Sequence, residues 1–139
     1  MVPSPIVAKW CQEVGDHIIC QIELYAMVCI RKMLAARLVG RRSVFFVDND
    51  SARYSVIKGR SGSESMCLLA HAFHELDDHA PTYWWIARAP SFSNPSDAPS
   101  RGRGSEEALA LQATFRGPFD HDRCLEEIIL NPRWQELMW

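Results

Sequence analysis

The sequence predicts an α/β domain in which parallel strands are flanked by helices. From residue 18 onward the segments read helix, strand, helix, helix, strand, loop, and this alternation favours a sheet covered by helices. Residues 43–48, SVFFVD, are a short apolar run that stops at an acid, as a central strand does at its carboxyl end. Residues 82–89, TYWWIARA, are aromatic and β-branched enough to form a second strand.

Each element has its own local cause. Residues 18–39, IICQIELYAMVCIRKMLAARLV, read as one long helix, because Leu24, Met27, Val28, Cys29, Met33, Leu34 and Leu38 fall near helical spacing among good helix formers. Gly40 is a natural stop, and the arginines of the last turn suit the negative end of the helix dipole. A helix follows the first strand from Asn49 to Ile57, with Asn49, Asp50 or Ser51 as its cap and Gly59 as its end. The next helix opens near Ser63 and runs to about His79, where Ser61 and Glu64 in SGSE have capping-box spacing and Pro81 closes the segment. Residues 90–103, PSFSNPSDAPSRGR, are a loop by their proline, serine and glycine content. An amphipathic helix near 105–114, a turn at GPFD and a last helix near 123–130 make residues 104–139 a helical tail after a domain spanning 1–103.

Composition narrows the classes. A chain of 139 residues supports one core, and 47% apolar with 23% charged residues is ordinary for a soluble globular protein. It contains no run of 18 apolar residues, so a membrane span is not expected, and MVPSPIVAKW lacks signal-peptide features. Five widely spaced cysteines without a CxxC pair argue against a disulfide framework or a zinc ribbon, and predict a reducing intracellular compartment, cytoplasmic or nuclear. The net charge of −2 excludes a generally basic nucleic-acid binder, yet residues 31–60 carry eight Lys/Arg against two acids, whereas residues 61–139 carry six arginines against twelve acids. The basic stretch is either a solvated helix face with a charged loop or a surface for phosphates.

Asp48 raises the functional question, because ligand-binding groups of open α/β sheets collect just beyond the carboxyl ends of strands. Alone it would cap the helix that follows. Glu23 stands in the apolar setting QIELYA near the start of the long helix, from which a carboxylate reaches the end of an adjacent strand. Asp97, in SNPSDAPSR, follows the second strand and returns to the same edge if the chain reverses. Three acids gathered in this way repel one another unless cations neutralise them, and an all-oxygen cluster suits Mg²⁺ or Mn²⁺.

The stretch QIELYAMVCIRKMLAARLVGRRSVFFVDNDSARYSVIKG resembles the helix–strand–helix core of ribonuclease H domains, with an ELxA-type helix and a strand ending in Asp. YWWIARAPSFSNPSDAPSR resembles the closing strand and N-x-x-D segment of the ribonuclease H-like domains of retroelement reverse transcriptases. The resemblance spans residues 18–103 and implies the mixed, helix-flanked sheet of that fold. It also implies that Glu23, Asp48 and Asp97 are the second, third and fourth members of a four-carboxylate catalytic and metal-holding site. The activity implied is hydrolysis of the RNA strand of an RNA–DNA hybrid, assisted by two divalent ions about 4 Å apart. A polymerase domain, fused or associated, is the implied neighbour. Asn49, Arg53, Lys58, Arg60, Asn94 and Arg101 are the implied substrate-binding residues, with Arg88 and Arg103 near enough to touch phosphates, and RNA is distinguished through its 2′-hydroxyls.

Two departures accompany the match. The family's first Asp stands on a strand before the long helix, but only seventeen residues precede Ile18 here, and their acids, Glu13 and Asp16, are too close to the helix for that position. The first strand or strands are therefore expected to be missing, with metal affinity and activity impaired and one sheet edge unpaired unless residues 5–11 or a partner chain covers it. The family's mobile His is replaced by the Ser91–Phe92–Ser93 loop.

Other candidates are weaker. His71, His74 and His79 share a helix region without a fourth zinc ligand, so an ordinary polar face is the better reading. Trp84 and Trp85 alternate on their strand, which sends one to the core and the other to a helix layer or solvent. Asp50 is close to Asp48 but reads as a helix-capping group. Three functions therefore compete: a hybrid-directed nuclease, a non-catalytic ribonuclease H-like platform or connection beside a polymerase, and an unrelated α/β domain whose acids are structural.

Overall fold

A computed structural model describes Val2 and residues 4–97. The tail 104–139, its two expected helices, and Arg101 and Arg103 lie outside the described residues. The order is α1 (Ser4–Val14), α2 (Ile19–Met33), α3 (Ala35–Leu38), β1 (Arg42–Val47), α4 (Asp50–Lys58), α5 (Glu64–His79), β2 (Tyr83–Arg88) and a 3₁₀ turn at Ser91–Ser93. The described part is α/β and mostly helical, with one small sheet.

β1 and β2 are parallel, in a register that sets Arg42 opposite Tyr83, Val44 opposite Trp85 and Val47 opposite Arg88. A parallel pair needs a crossover, and α4 and α5 supply it. The expectation that β1 is central is not met among the described residues, where its one neighbour is β2. Alternation along both strands divides the sheet into two unlike faces. Val47 and Ile86 are buried, and Phe45 and Trp84 pack against the core, whereas Val44, Phe46, Tyr83 and Trp85 are 56–74% exposed. Trp84 thus takes the core side and Trp85 the solvent side.

Phe73 of α5, fully buried, is the hub of the inner face. Its ring meets Phe45 at 5.6 Å and Trp84 at 5.4 Å, both edge-on, and the Arg31 guanidinium lies 4.4 Å above it. α2 packs mainly on α5 rather than across β1, and contributes Leu24, Met27 and Val28 to the core. Residues 4–14, considered above only as cover for a sheet edge, form a helix whose Trp10 packs edge-on to Tyr25 at 6.2 Å.

The expected single helix over 18–39 is broken at Leu34, where φ −101° and ψ 6° leave the helical region. No glycine or proline marks the break. It turns α3 so that the Leu38 carbonyl accepts from Thr82 Oγ1 at 3.3 Å and Gly40 N–H donates to the Pro81 carbonyl at 2.7 Å, which docks the entry of β1 beside that of β2. The cap of α5 also differs from expectation. Ser63, not Ser61, accepts from a helix amide, that of Met66 at 3.3 Å, while Ser61 receives the Ser63 amide at 3.4 Å and bonds Cys67. Glu13 of α1 adds a second acceptor there, taking the Ser63 hydroxyl at 2.7 Å and the Ser65 amide at 3.2 Å. Burial works against its charge, but these bonds outweigh it and hold Glu13 below the ordinary glutamate value. α4 ends as predicted, with Gly59 left-handed at φ 63°.

One buried charge joins these parts. Arg31, 2% exposed, donates to the Phe73 carbonyl and pairs with Asp77 at 2.5 Å. Asp77 also accepts from the Trp84 indole at 2.9 Å and the Thr82 amide at 3.2 Å. Removing Asp77 leaves the guanidinium buried and unpaired. Asp77→Ala should therefore lower stability by about 3 kcal/mol in chemical denaturation, whereas the less charged core of Arg31→Met with Asp77→Leu should recover most of that loss.

Candidate functional site

The site lies where both strands end. Ala89 extends the pairing by donating to the Val47 carbonyl at 2.9 Å, and the chain then turns through Ser91–Ser93 to Asn94. Asp48 follows β1 directly. Asn49, next in the chain, caps α4 by accepting the Ala52 amide at 2.9 Å, which decides among the three expected caps and releases Asp48 from that duty. The amino terminus of α4 favours negative charge beside it.

Glu23 of α2 meets Asp48 carboxyl to carboxyl. Burial first, then the Asp48 charge and a hydrogen bond shared with it, push Glu23 from the ordinary 4.5 to about 7, against a stabilising bond from the Asn49 amide. Glu23 therefore keeps its proton toward neutrality and meets Asp48 as a hydrogen-bonded neighbour. One turn earlier on α2, the Cys20 thiol receives the Asn49 side-chain amide at 3.4 Å, a contact that no sequence signal announced.

Asp48 is also held from the other strand. Asn94 Nδ2 donates to its Oδ2 at 3.1 Å. The Asp97 amide donates to the Asn94 carbonyl at 3.2 Å, a backbone turn bond within the loop that carries the third expected acid. Among the described residues no group of three or more His, Cys, Asp or Glu is arranged to hold a metal ion. The pair itself fits a hard divalent cation in donor type, being all oxygen, and in charge, since its two carboxylates cannot both ionise at ease without one.

The expected substrate-binding groups have different surroundings. Arg53 bonds Asp50 at 2.8 and 3.0 Å and lies 4.3 Å over the Tyr54 ring, so its guanidinium is engaged within the fold. Asp50 therefore serves Arg53, with Arg88 3.7 Å away, and not the cap. Lys58, 5.4 Å from the Tyr54 ring, and Arg60 are exposed at the far end of α4, roughly 13 Å along its axis from Asp48. Asn49 and Asn94 have their amides in use, as described. His74 Nε2 contacts the Val56 carbonyl at 2.8 Å and its ring packs on Trp84 at 5.3 Å, which gives that histidine a structural place. A cavity of about 320 Å³ lined by Trp10, Glu13, Ser65 and Leu69, among others, shares no residue with the acid site. The four described cysteines are free thiols, and no helix among the described residues is long and apolar enough to cross a membrane.

The pH dependence follows from these shifts. Glu23 binds its proton more tightly folded than unfolded, so its contribution to stability is full below 4.5 and is lost as pH rises to about 7. Glu13 and Asp77 are shifted down, so theirs is present above the ordinary carboxylate range and lost in acid. Glu23→Gln should flatten the decline between pH 4.5 and 7 in denaturation curves and leave the acid limb unchanged. No protein-family model, curated protein or solved structure matches the chain.

Proposed function

We propose that the chain is a ribonuclease H-like domain that binds RNA–DNA hybrids and hydrolyses the RNA strand with divalent-metal assistance, as part or remnant of a retroelement reverse transcriptase. One observation carries the reading: two carboxylates from separate segments, Glu23 and Asp48, are brought together at a strand end in hydrogen-bond contact. Structural acids are normally paired with cations or amides, and a partly buried acid pair in direct contact is a recognised mark of a functional site. The parallel strands and the turn bearing Asn94 and Asp97 are compatible with the motifs that carried the resemblance.

Glu23 and Asp48 would hold Mg²⁺ or Mn²⁺, with Asp97 the nearest further acid by chain path, and a bound ion supplies Lewis acidity and an activated water. The protein's own part is to orient the two carboxylates and to place phosphates. Lys58, Arg60 and Arg88 are exposed described cations that would meet a phosphate backbone, Arg88 from beside Asp50. With two carboxylates gathered among the described residues in place of four, cation affinity and positioning would both be weakened, and a misplacement of about 1 Å costs on the order of a hundredfold in rate.

The second reading, a non-catalytic platform or connection beside a polymerase, draws on the lack of a third clustered ligand among the described residues. A labelled RNA–DNA hybrid with Mn²⁺ separates the two. Slow cleavage that Asp48→Asn and Glu23→Gln abolish supports the nuclease, and hybrid binding without cleavage supports the platform. The binding should weaken with salt, and Lys58→Ala with Arg60→Ala should reduce the salt slope by about two. If the chain neither binds nor cleaves the hybrid, both readings fall.

A further inference from the structure

Asn94 is implied by the resemblance to touch substrate, yet its amide is occupied. Its Oδ1 accepts the Ser96 hydroxyl at 2.7 Å and the Ser96 backbone amide at 3.1 Å. The backbone amide can only donate, so the side-chain oxygen must face Ser96, and the NH₂ group must face Asp48. The turn that carries Asn94 is itself wound by the Ser93 amide on the Pro90 carbonyl at 2.9 Å and by the Asn94 amide on the Ser91 carbonyl at 3.3 Å. It starts where Ala89 finishes the pairing with β1, so Asn94 is referred to the same strand end as Asp48.

We infer that Asn94 is a positioning residue: it holds Asp48 by Oδ2 and thereby fixes the rotation of that carboxylate toward Glu23 and a divalent cation. The inference rests on the cation reading given above. The torsion of an Asp carboxylate is broad, and the Asn94 bond restrains it as a second fixed contact beside the hydrogen bond shared with the Glu23 carboxyl. A neutral amide donor does this without adding charge. Aspartate at 94 would set a third carboxylate against Asp48, and serine would not span the gap. The contact also makes the loop that bears Asp97 a determinant of the geometry at Asp48.

Manganese titration of the full chain, followed by electron paramagnetic resonance, tests this, beside hybrid affinity measured without a divalent ion. Asn94→Ala should weaken Mn²⁺ binding at least about tenfold, as loss of a residue that orients a ligand does, and leave metal-free hybrid affinity unchanged. Ser96→Ala, which removes the hydroxyl that orients the amide, should move Mn²⁺ binding the same way by a smaller factor, and decides the matter if Asn94→Ala fails to fold by circular dichroism. Unchanged Mn²⁺ affinity with weakened hybrid binding would overturn the inference and make Asn94 a substrate contact. A wild-type chain that binds no Mn²⁺ would overturn the cation reading itself, and this inference with it.

Discussion

The Arg31–Asp77 pair is the constraint on which the fold depends. A guanidinium 2% exposed is tolerable only where its donors are met, and here they reach the α5 backbone at Phe73 and the Asp77 carboxylate. Because Asp77 also holds the Trp84 indole and the Thr82 amide, one charge fixes α2, α5 and the start of β2 relative to each other. Burial opposes the charge of Asp77, and the bonds from Trp84 and Arg31 overcome it, so the acid is held below its ordinary range. Hydrophobic packing around Phe73 is non-directional, and this network supplies the direction.

The consequence reaches the acid pair. α2 carries both Arg31 and Glu23, eight residues apart and a little over two turns, so the orientation fixed at Arg31 also aims Glu23 toward the end of β1. Three other described acids have a donor or cation that their position explains: Glu13 has the start of α5, Asp50 has Arg53, Asp77 has Arg31. Glu23 has Asp48. Two carboxylates placed in contact by a rigid helix and a strand end are costly to stability, which is the usual signature of a constraint set by function.

The sheet is unusual for a parallel one. Parallel sheets are normally covered on both faces, and among the described residues this one is covered only on the face bearing Phe45, Val47, Trp84 and Ile86. Val44, Phe46, Tyr83 and Trp85 remain exposed on the other. The run SVFFV reads as a strand buried on both sides, and the alternation found along β1 comes from the one-sided cover, not from its residues.

The sequence by itself determined the elements whose causes are local. Gly59 ends α4 because a left-handed residue is needed there, helical spacing of apolar residues makes α2, the serine-rich start and Pro81 bound α5, and runs of apolar residues make β1 and β2. Their order already implied a parallel pair with an acid at the strand end. Tertiary structure alone decided the break at Leu34, the helix over residues 4–14 with Glu13 on the α5 terminus, the choice of Ser63 over Ser61, and the Asn94 bond to Asp48. Each of these depends on partners roughly forty to fifty positions away, or on which of several equally suitable polar groups a neighbouring element reaches first. Hydrogen bonds at that separation leave no periodicity in a chain, so only the folded arrangement states them.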